Sequence, residues 1–199
     1  QPKISIKDAY GNVVTGSTTT ITISEASADI ALAGTTSMSA VAGVADFALN
    51  TTKTQLNGKA ATGYVLTYTA TSPSLTATQT IDLTYGAAYQ LAVSTPAAGF
   101  KNDIAFTTQP VITIQDQDAN TVANSTATVT VGTSGAVLGG TITKAAVAGV
   151  ASFSSNALKL TGTKGDYTLT YSIPGPISTT QNVTLLAGSA HHLTLITAA

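Results

Sequence analysis

The chain has 199 residues and a formal net charge of −1, and only 9% of its residues are charged. A chain so poor in charge has no basic field with which to bind nucleic acid or an anionic membrane surface. It contains no cysteine, which excludes disulfides and thiolate metal sites, and none of its apolar runs approaches the roughly 18 residues that span a bilayer.

The first half of the chain alternates apolar with polar residues in short segments, separated by turns rich in Gly and Asn. A period of two is typical of strands with one buried face, and no window sustains the 3.6-residue period of a helix. The predicted strands are centred on Ile4 and Ile6, on residues 18–23, on Val44, on Tyr64, Leu66 and Tyr68, and on residues 78–84. Their number and spacing predict an all-β Greek-key sandwich.

The second half repeats the first block by block. The pairs of blocks are QPKISIKDAYGN from Gln1 and QPVITIQDQDAN from Gln109, AVAGVADF from Ala40 and AVAGVASF from Ala146, and GYVLTY from Gly63 and DYTLTY from Asp166. An internal repeat of this size indicates one structural module that is present twice. We therefore predict two tandem immunoglobulin-like Greek-key β-sandwich domains.

The two copies differ at their ends. The segment GAAYQLAVSTPAA at residues 86–98 leads into the second copy and returns as GSAHHLTLITAA at residues 188–199, whereas the first copy starts without it. On this interpretation domain 1, residues 1–87, lacks its first strand, and domain 2, residues 88–188, is complete. Residues 189–199 are then a C-terminal strand equivalent to the start of another module.

Several blocks recur in the same order in both copies: QPxIxIxDxxxN, a Thr-rich alternating strand, AxxGVAxF and YxLTY. Together they resemble the bacterial immunoglobulin-like repeats of the invasin/intimin type, which occur in tandem in surface adhesins. The resemblance covers nearly all of both copies. It implies an extracellular, cell-surface location and a stalk-like role, with adhesion left to specialised terminal domains.

A sandwich without its first strand exposes an apolar groove and an unpaired backbone edge. Each apolar side chain that becomes buried in such a groove stabilises the complex by about 1.5 to 3 kcal/mol. We expect the C-terminal strand of a neighbouring copy to fill it through Leu193, Leu195 and Ile196, by donor strand complementation as in pili. Because that contact is head-to-tail and does not close, identical subunits would polymerise into a filament.

Two alternatives stay open at this stage. The chain could be a fragment of a continuous tandem-repeat adhesin, in which the missing strand lies upstream in the same polypeptide. It could instead be a module that binds a host or cell-surface glycan or protein, although it has no Trp and only 6% aromatic residues. The start at Gln1 and the stop just after one strand favour a finished filament subunit, and we expect that.

One acidic cluster has the spacing of calcium ligands. Asp116, Asp118 and Asn120 follow the one-three-five pattern of a calcium loop, but the Gly and the distal Glu of that loop are missing. The first copy keeps only Asp8 and Asn12. We therefore favour a turn in which the side chains bind local backbone, with calcium as the weaker interpretation.

Three Asn-x-Ser/Thr sequons occur, at Asn50, Asn124 and Asn182. They are candidate glycosylation sites, and Asn124 is the strongest because it lies in a predicted turn. With Ser and Thr so abundant, chance alone accounts for most of them.

No arrangement of catalytic groups can be defended from the sequence. The two histidines, His191 and His192, are adjacent on a predicted strand and point to opposite faces. Glu25 is the single Glu, and it has no counterpart in the second copy. We therefore expect a structural protein, not an enzyme, with no cofactor.

Overall fold

The structure, a computed structural model, describes residues 1–196. The chain divides into two compact units, Gln1–Thr84 and Tyr85–Ala199, called unit 1 and unit 2 below. Their regular structure is almost entirely antiparallel β-sheet, of the immunoglobulin-like sandwich class. The all-β fold class predicted from the alternating pattern is confirmed.

Unit 1 is built from three sheets. Its strands are β1 (Lys3–Ser5), β2 (Thr20–Glu25), β3 (Ile30–Ala33), β4 (Ser37–Ser39), β5 (Val44–Asp46), β6 (Gln55–Gly58), β7 (Ala61–Thr71) and β8 (Ser74–Leu83), with a 3-10 turn at Phe47–Leu49. The largest sheet has the order β4-β2-β7-β8. β1 pairs only with β5, and β3 pairs with β6.

Unit 2 repeats this arrangement with one strand more. Its strands are β9 (Gln90–Thr95), β10 (Val111–Gln115), β11 (Thr128–Thr133), β12 (Val137–Gly139), β13 (Thr143–Ala145), β14 (Val150–Ser152), β15 (Lys159–Thr161), β16 (Gly165–Ser172) and β17 (Ser178–Leu185). The four-stranded sheet has the order β13-β11-β16-β17, and β12 pairs with β15. The third sheet has the order β14-β10-β9, so β10, the counterpart of β1, has a neighbour on both sides.

Each unit has its own hydrophobic core, built from the inward residues of alternating strands. In unit 1, Ile21 and Ile23 of β2 and Leu66 and Tyr68 of β7 are buried around Phe47. Because the strand period is two, every second side chain of these strands faces this core. The prediction that Tyr64, Leu66 and Tyr68 share one inward face is therefore confirmed.

The boundary between the units falls three residues before the predicted one. Unit 2 begins at Tyr85, whereas the sequence interpretation ended domain 1 at residue 87. The reason is local packing, because the Tyr85 side chain contacts the core of unit 2. The backbone N–H of Gly86 also donates a hydrogen bond to Asp116 of unit 2.

The predicted C-terminal strand is not formed within the single chain. Residues 190–196 have no regular secondary structure and are exposed. The remainder of the predicted strand, residues 197–199, lies outside the described residues. A lone extended segment has no cross-strand hydrogen bonds, so without a neighbouring edge it gains nothing from strand geometry.

Candidate functional site

The difference between the two units is concentrated along one strand edge. In unit 2, β9 runs antiparallel to β10 and places Leu91 opposite Ile114 and Val93 opposite Ile112. Leu91 is buried in the core of unit 2, and Val93 packs against that core. This extra strand thus closes one side of the sandwich.

Unit 1 has an open groove at the corresponding place. The groove has a volume of about 200 Å³ and runs between β1 with the residues after it and the start of β8. Ile4, Ile6, Leu75 and Ala77 are among the side chains that line it. We call it the edge groove.

The side chains that line the edge groove are less buried than their counterparts in unit 2. Ile112 and Ile114 are fully buried. Of their sequence counterparts in unit 1, Ile4 is half-buried and Ile6 is 6% exposed. Leu75 at the start of β8 is 42% exposed. The side chains that β9 covers in unit 2 therefore have counterparts in unit 1 without that cover.

Unit 1 has a second opening, and Tyr68 lines both it and the edge groove. This end pocket has a volume of about 300 Å³ and is lined by residues that include Leu32, Leu56, Tyr68 and Gln79. In unit 2 the equivalent region holds Phe106, whose N–H donates to the carbonyl of Leu158 just before β15. The ring of Phe106 packs edge-on against that of Phe100 at 4.8 Å between centroids.

The C-terminal segment carries the apolar residues that the sequence analysis assigned to subunit joining. Leu193, Leu195 and Ile196 are 102%, 81% and 95% exposed. Three large apolar side chains exposed within four residues make this segment a candidate for binding.

The calcium candidate is a hydrogen-bonded turn. One carboxylate oxygen of Asp116 accepts hydrogen bonds from the N–H groups of Asp118 and Asn120, at 3.0 and 2.9 Å. The other accepts from the Asn120 side chain at 3.0 Å and from the Gly86 N–H at 2.7 Å. Within residues 1–196 no group of three acidic or histidine side chains is placed to hold a metal ion.

These hydrogen bonds also set the charge state of the turn. Burial by itself raises the pKa of the Asp116 carboxyl, but the hydrogen bonds from Gly86, Asn120 and Asp118 outweigh that effect. The pKa is held below its usual range, so Asp116 is a carboxylate at neutral pH. Its charge stabilises the start of unit 2.

The three sequons lie in different environments. Asn124 is exposed in the turn after Val122, and Asn182 is exposed on β17, where it accepts a hydrogen bond from Thr168. The side-chain nitrogen of Asn50 is buried. A glycan attaches to that nitrogen, so in the folded unit Asn50 is inaccessible, whereas Asn124 and Asn182 stay glycosylation candidates.

Sequence reasoning missed two matching polar residues, Gln79 at the end pocket of unit 1 and its counterpart Gln181 in unit 2. Each accepts a hydrogen bond from a buried tyrosine, Tyr68 at 2.7 Å and Tyr171 at 3.1 Å. Their signal was a Gln in the closing strand of both copies. It went unnoticed because the surrounding Thr-rich residues look like an ordinary sheet face.

Neither a protein-family model nor a curated protein matches the chain. It is similar to part of a glycosyl hydrolase family 2 member from Bacteroides cellulosilyticus, at 12% identity and a TM-score of 0.42, covering 68% of this chain and 19% of that one. A β-glycosidase from Bacteroides vulgatus gives 12% identity and a TM-score of 0.38, covering 83% and 21%. The chain thus spans about a fifth of the length of these enzymes.

The part of the chain that the structure describes contains no helix of the length and apolar character needed to cross a bilayer.

Proposed function

We propose that this chain is a structural subunit of an extracellular, cell-surface filament. In this filament the C-terminal segment of one copy adds as a strand to the edge groove of unit 1 in the next copy. The observation that supports it is internal to the chain. Unit 2 holds a strand, β9, at an edge that unit 1 leaves open, and residues 188–199 repeat the sequence that contains β9.

The alignment of the two segments gives the register of the joint. Leu193 aligns with Leu91 and Leu195 with Val93, the two side chains that β9 turns inward. In the joint Leu193 therefore packs beside Ile6, and Leu195 beside Ile4. Burial of each leucine contributes about 1.5 to 3 kcal/mol, and the new strand pairs the free backbone edge of β1.

Ile196 takes a different position in this register. It aligns with Ser94, which is exposed on β9 and donates a hydrogen bond to the Val111 carbonyl. Ile196 therefore faces outward in the joint, although the sequence analysis grouped it with the two leucines. This gives a matched pair of positions, one inward and one outward, on the same segment.

The polymer follows from the geometry of the contact. The donor segment belongs to unit 2 and the acceptor groove to unit 1, so every subunit offers one of each. A heterologous contact of this kind continues without closing on itself unless the rotation between subunits forms a ring. The motifs that resemble surface-adhesin repeats support an extracellular setting for such a filament.

The test is electron microscopy and gel filtration of the purified full-length chain and two variants. We expect filaments for the wild type and for Ile196→Asp, and monomers for Leu195→Asp. Both side chains are exposed in the single chain, at 95% and 81%, so neither substitution is expected to unfold it. Circular dichroism of the variants checks that point.

Two results would overturn the proposal. A wild-type chain that stays monomeric at high concentration would show that its edge groove does not accept this segment. That result would favour the alternative in which the chain is a fragment of a longer tandem-repeat polypeptide. Filaments that persist in Leu195→Asp would show that another surface joins the subunits.

A further inference from the structure

Unit 2 holds the end of its extra strand with one glutamine. The Gln181 side-chain oxygen accepts a hydrogen bond from the Ala97 N–H at 3.0 Å, and its nitrogen donates one to the Ala97 carbonyl at 2.7 Å. A side-chain amide that pairs with both groups of one residue imitates a neighbouring strand. Tyr171 donates to the same oxygen at 3.1 Å and fixes the orientation of the amide.

Unit 1 has the same glutamine without the strand. Gln79 lies opposite Leu66 in the β7–β8 pair, as Gln181 lies opposite Leu169 in the β16–β17 pair. Tyr68 donates to the Gln79 oxygen at 2.7 Å, so the amide already has the required orientation. Among the described residues, the Gln79 nitrogen has no hydrogen-bond partner, and the side chain is exposed at the rim of the end pocket.

The start of the extra strand is held by a carboxylate. In unit 2, Asp116 accepts the Gly86 N–H at 2.7 Å, in addition to three hydrogen bonds within its own turn. In unit 1, Asp8 accepts the same three local bonds, two from the N–H groups of Tyr10 and Asn12 and one from the Asn12 side chain. Among the described residues, Asp8 has no counterpart of the hydrogen bond that Gly86 donates to Asp116. Asp8 is exposed, whereas Asp116 is 4% exposed.

The two contacts are separated by the same length of chain in both segments. Gly86 and Ala97 bound residues 86–97, and the repeat aligns these two residues with Gly188 and Ala199. Ala199 lies outside the described residues, so its part in the argument comes from the sequence alignment alone. An incoming segment in this register brings both backbone positions to the two side chains that lack them.

We infer that Asp8 and Gln79 are binding residues of unit 1 that hold the two ends of residues 188–199 of a second copy. Asp8 accepts the N–H of Gly188, and Gln79 pairs with the backbone of Ala199. This inference rests on the proposed function. It adds the polar contacts by which unit 1 holds the two ends of the incoming segment.

The two leucines set which face of the segment is buried. A slip of one residue turns Leu193 and Leu195 outward and Thr194 and Ile196 inward. A slip of two residues keeps the leucines inward, so apolar packing alone discriminates weakly against it. Backbone groups recur at every residue, so Asp8 and Gln79 also meet an N–H or a carbonyl after such a slip. The two polar contacts therefore add affinity at the ends of the segment, and the leucines set which face is buried.

The test measures binding of a synthetic tail to unit 1 by fluorescence anisotropy. The acceptor is the full-length chain carrying Leu195→Asp, whose own tail cannot compete. The ligand is an N-acetylated, labelled peptide of residues 186–199. We expect Gln79→Ala and Asp8→Asn in the acceptor each to weaken binding about tenfold. Thr80→Ala, on the exposed face of β8, serves as the control and leaves binding unchanged.

A second peptide separates a direct contact from damage to the fold. N-methylation of Gly188 replaces its N–H by an N-methyl group, so this position can no longer donate a hydrogen bond. We expect this peptide to bind the Asp8 acceptor about tenfold more weakly than the parent peptide. It should lose less affinity for the Asp8→Asn acceptor, because a neutral amide oxygen is a weaker acceptor of the Gly188 N–H than a carboxylate.

The outcomes distinguish this inference from the proposed function. If the parent peptide binds all acceptors equally, the edge groove accepts the tail but Asp8 and Gln79 do not hold it, and the inference fails alone. If no acceptor binds the peptide, both the inference and the filament proposal fail. Additive effects of Gly188 methylation and Asp8→Asn would also overturn the assignment of Asp8.

Discussion

Gly149 lies so close to Val122 that a methyl group at its Cα would stand 2.6 Å from the Val122 carbonyl oxygen. Its φ of +77° also lies in the left-handed region. We expect Gly149→Ala to lower the free energy of unfolding of unit 2 by about 2 kcal/mol or more, from strain and overlap together. Thermal unfolding followed by circular dichroism measures it.

The matching glycine of unit 1 allows the same prediction to be tested in the other unit. At Gly43 a methyl group would stand 2.4 Å from the Val14 carbonyl oxygen, and φ is +75°. Gly43→Ala should therefore destabilise unit 1 as Gly149→Ala destabilises unit 2. Gly132→Ala is the control, since the nearest atom to its added methyl group is 3.9 Å away. A loss of stability in the control comparable to the others would contradict the explanation.

A second prediction concerns two asparagines in matching positions. The Asn156 side chain is buried and donates hydrogen bonds to the carbonyls of Thr141 and Thr143, at 2.7 and 3.1 Å. The Asn50 nitrogen is buried without a hydrogen-bond partner among the described residues. We expect Asn156→Ala to cost about 2 kcal/mol and Asn50→Ala to change stability by no more than about 0.5 kcal/mol.

Chemical denaturation of both variants beside the wild type checks this difference. Equal losses of stability in the two would mean that the Asn50 side chain has a partner that the structure does not assign.

A third prediction concerns the residues that close unit 2 beyond β9. Phe106 is 4% exposed and packs against Phe100. Phe106→Ala leaves a cavity in the place that corresponds to the end pocket of unit 1, and it should cost about 3 to 5 kcal/mol. Ile104→Ala is the control, because Ile104 is 42% exposed. Hydrogen exchange measured by mass spectrometry should show a loss of protection in unit 2 and unchanged protection in unit 1.

The lowered pKa of Asp116 predicts how the stability of unit 2 depends on pH. Because the folded pKa lies below the unfolded value, the carboxylate contributes stability that is complete above that unfolded value, about pH 3.9. The contribution is lost as the pH falls through the folded pKa. We expect Asp116→Asn to flatten the acid side of the pH profile of unit 2 and to leave the neutral side flat.

Native-state hydrogen exchange of unit 2 between about pH 2 and 6 measures that profile. An acid slope that is the same in the wild type and in Asp116→Asn would show that the turn does not hold the carboxylate in its charged form.

The fold could be predicted from the sequence because its signal is local. Alternation at Tyr64, Leu66 and Tyr68 specifies which face of a strand is buried, whatever that face contacts. The repeat extended this prediction to the second copy. The unequal ends of the two copies also indicated that an edge of the first copy would be open, and in the structure β1 has one neighbour where β10 has two.

What the sequence could not give was a contact between residues far apart in the chain. Gln181 and Ala97 are separated by 84 residues, and nothing in either local sequence marks them as partners. The tail also reads as a strand by its alternation, yet in the single chain residues 190–196 form none, because a strand requires the backbone of a neighbour. Alternation and repetition thus determined the modules and the pattern of their faces. Only the tertiary structure decided which polar groups meet across the edge, since that depends on how distant strands are brought together.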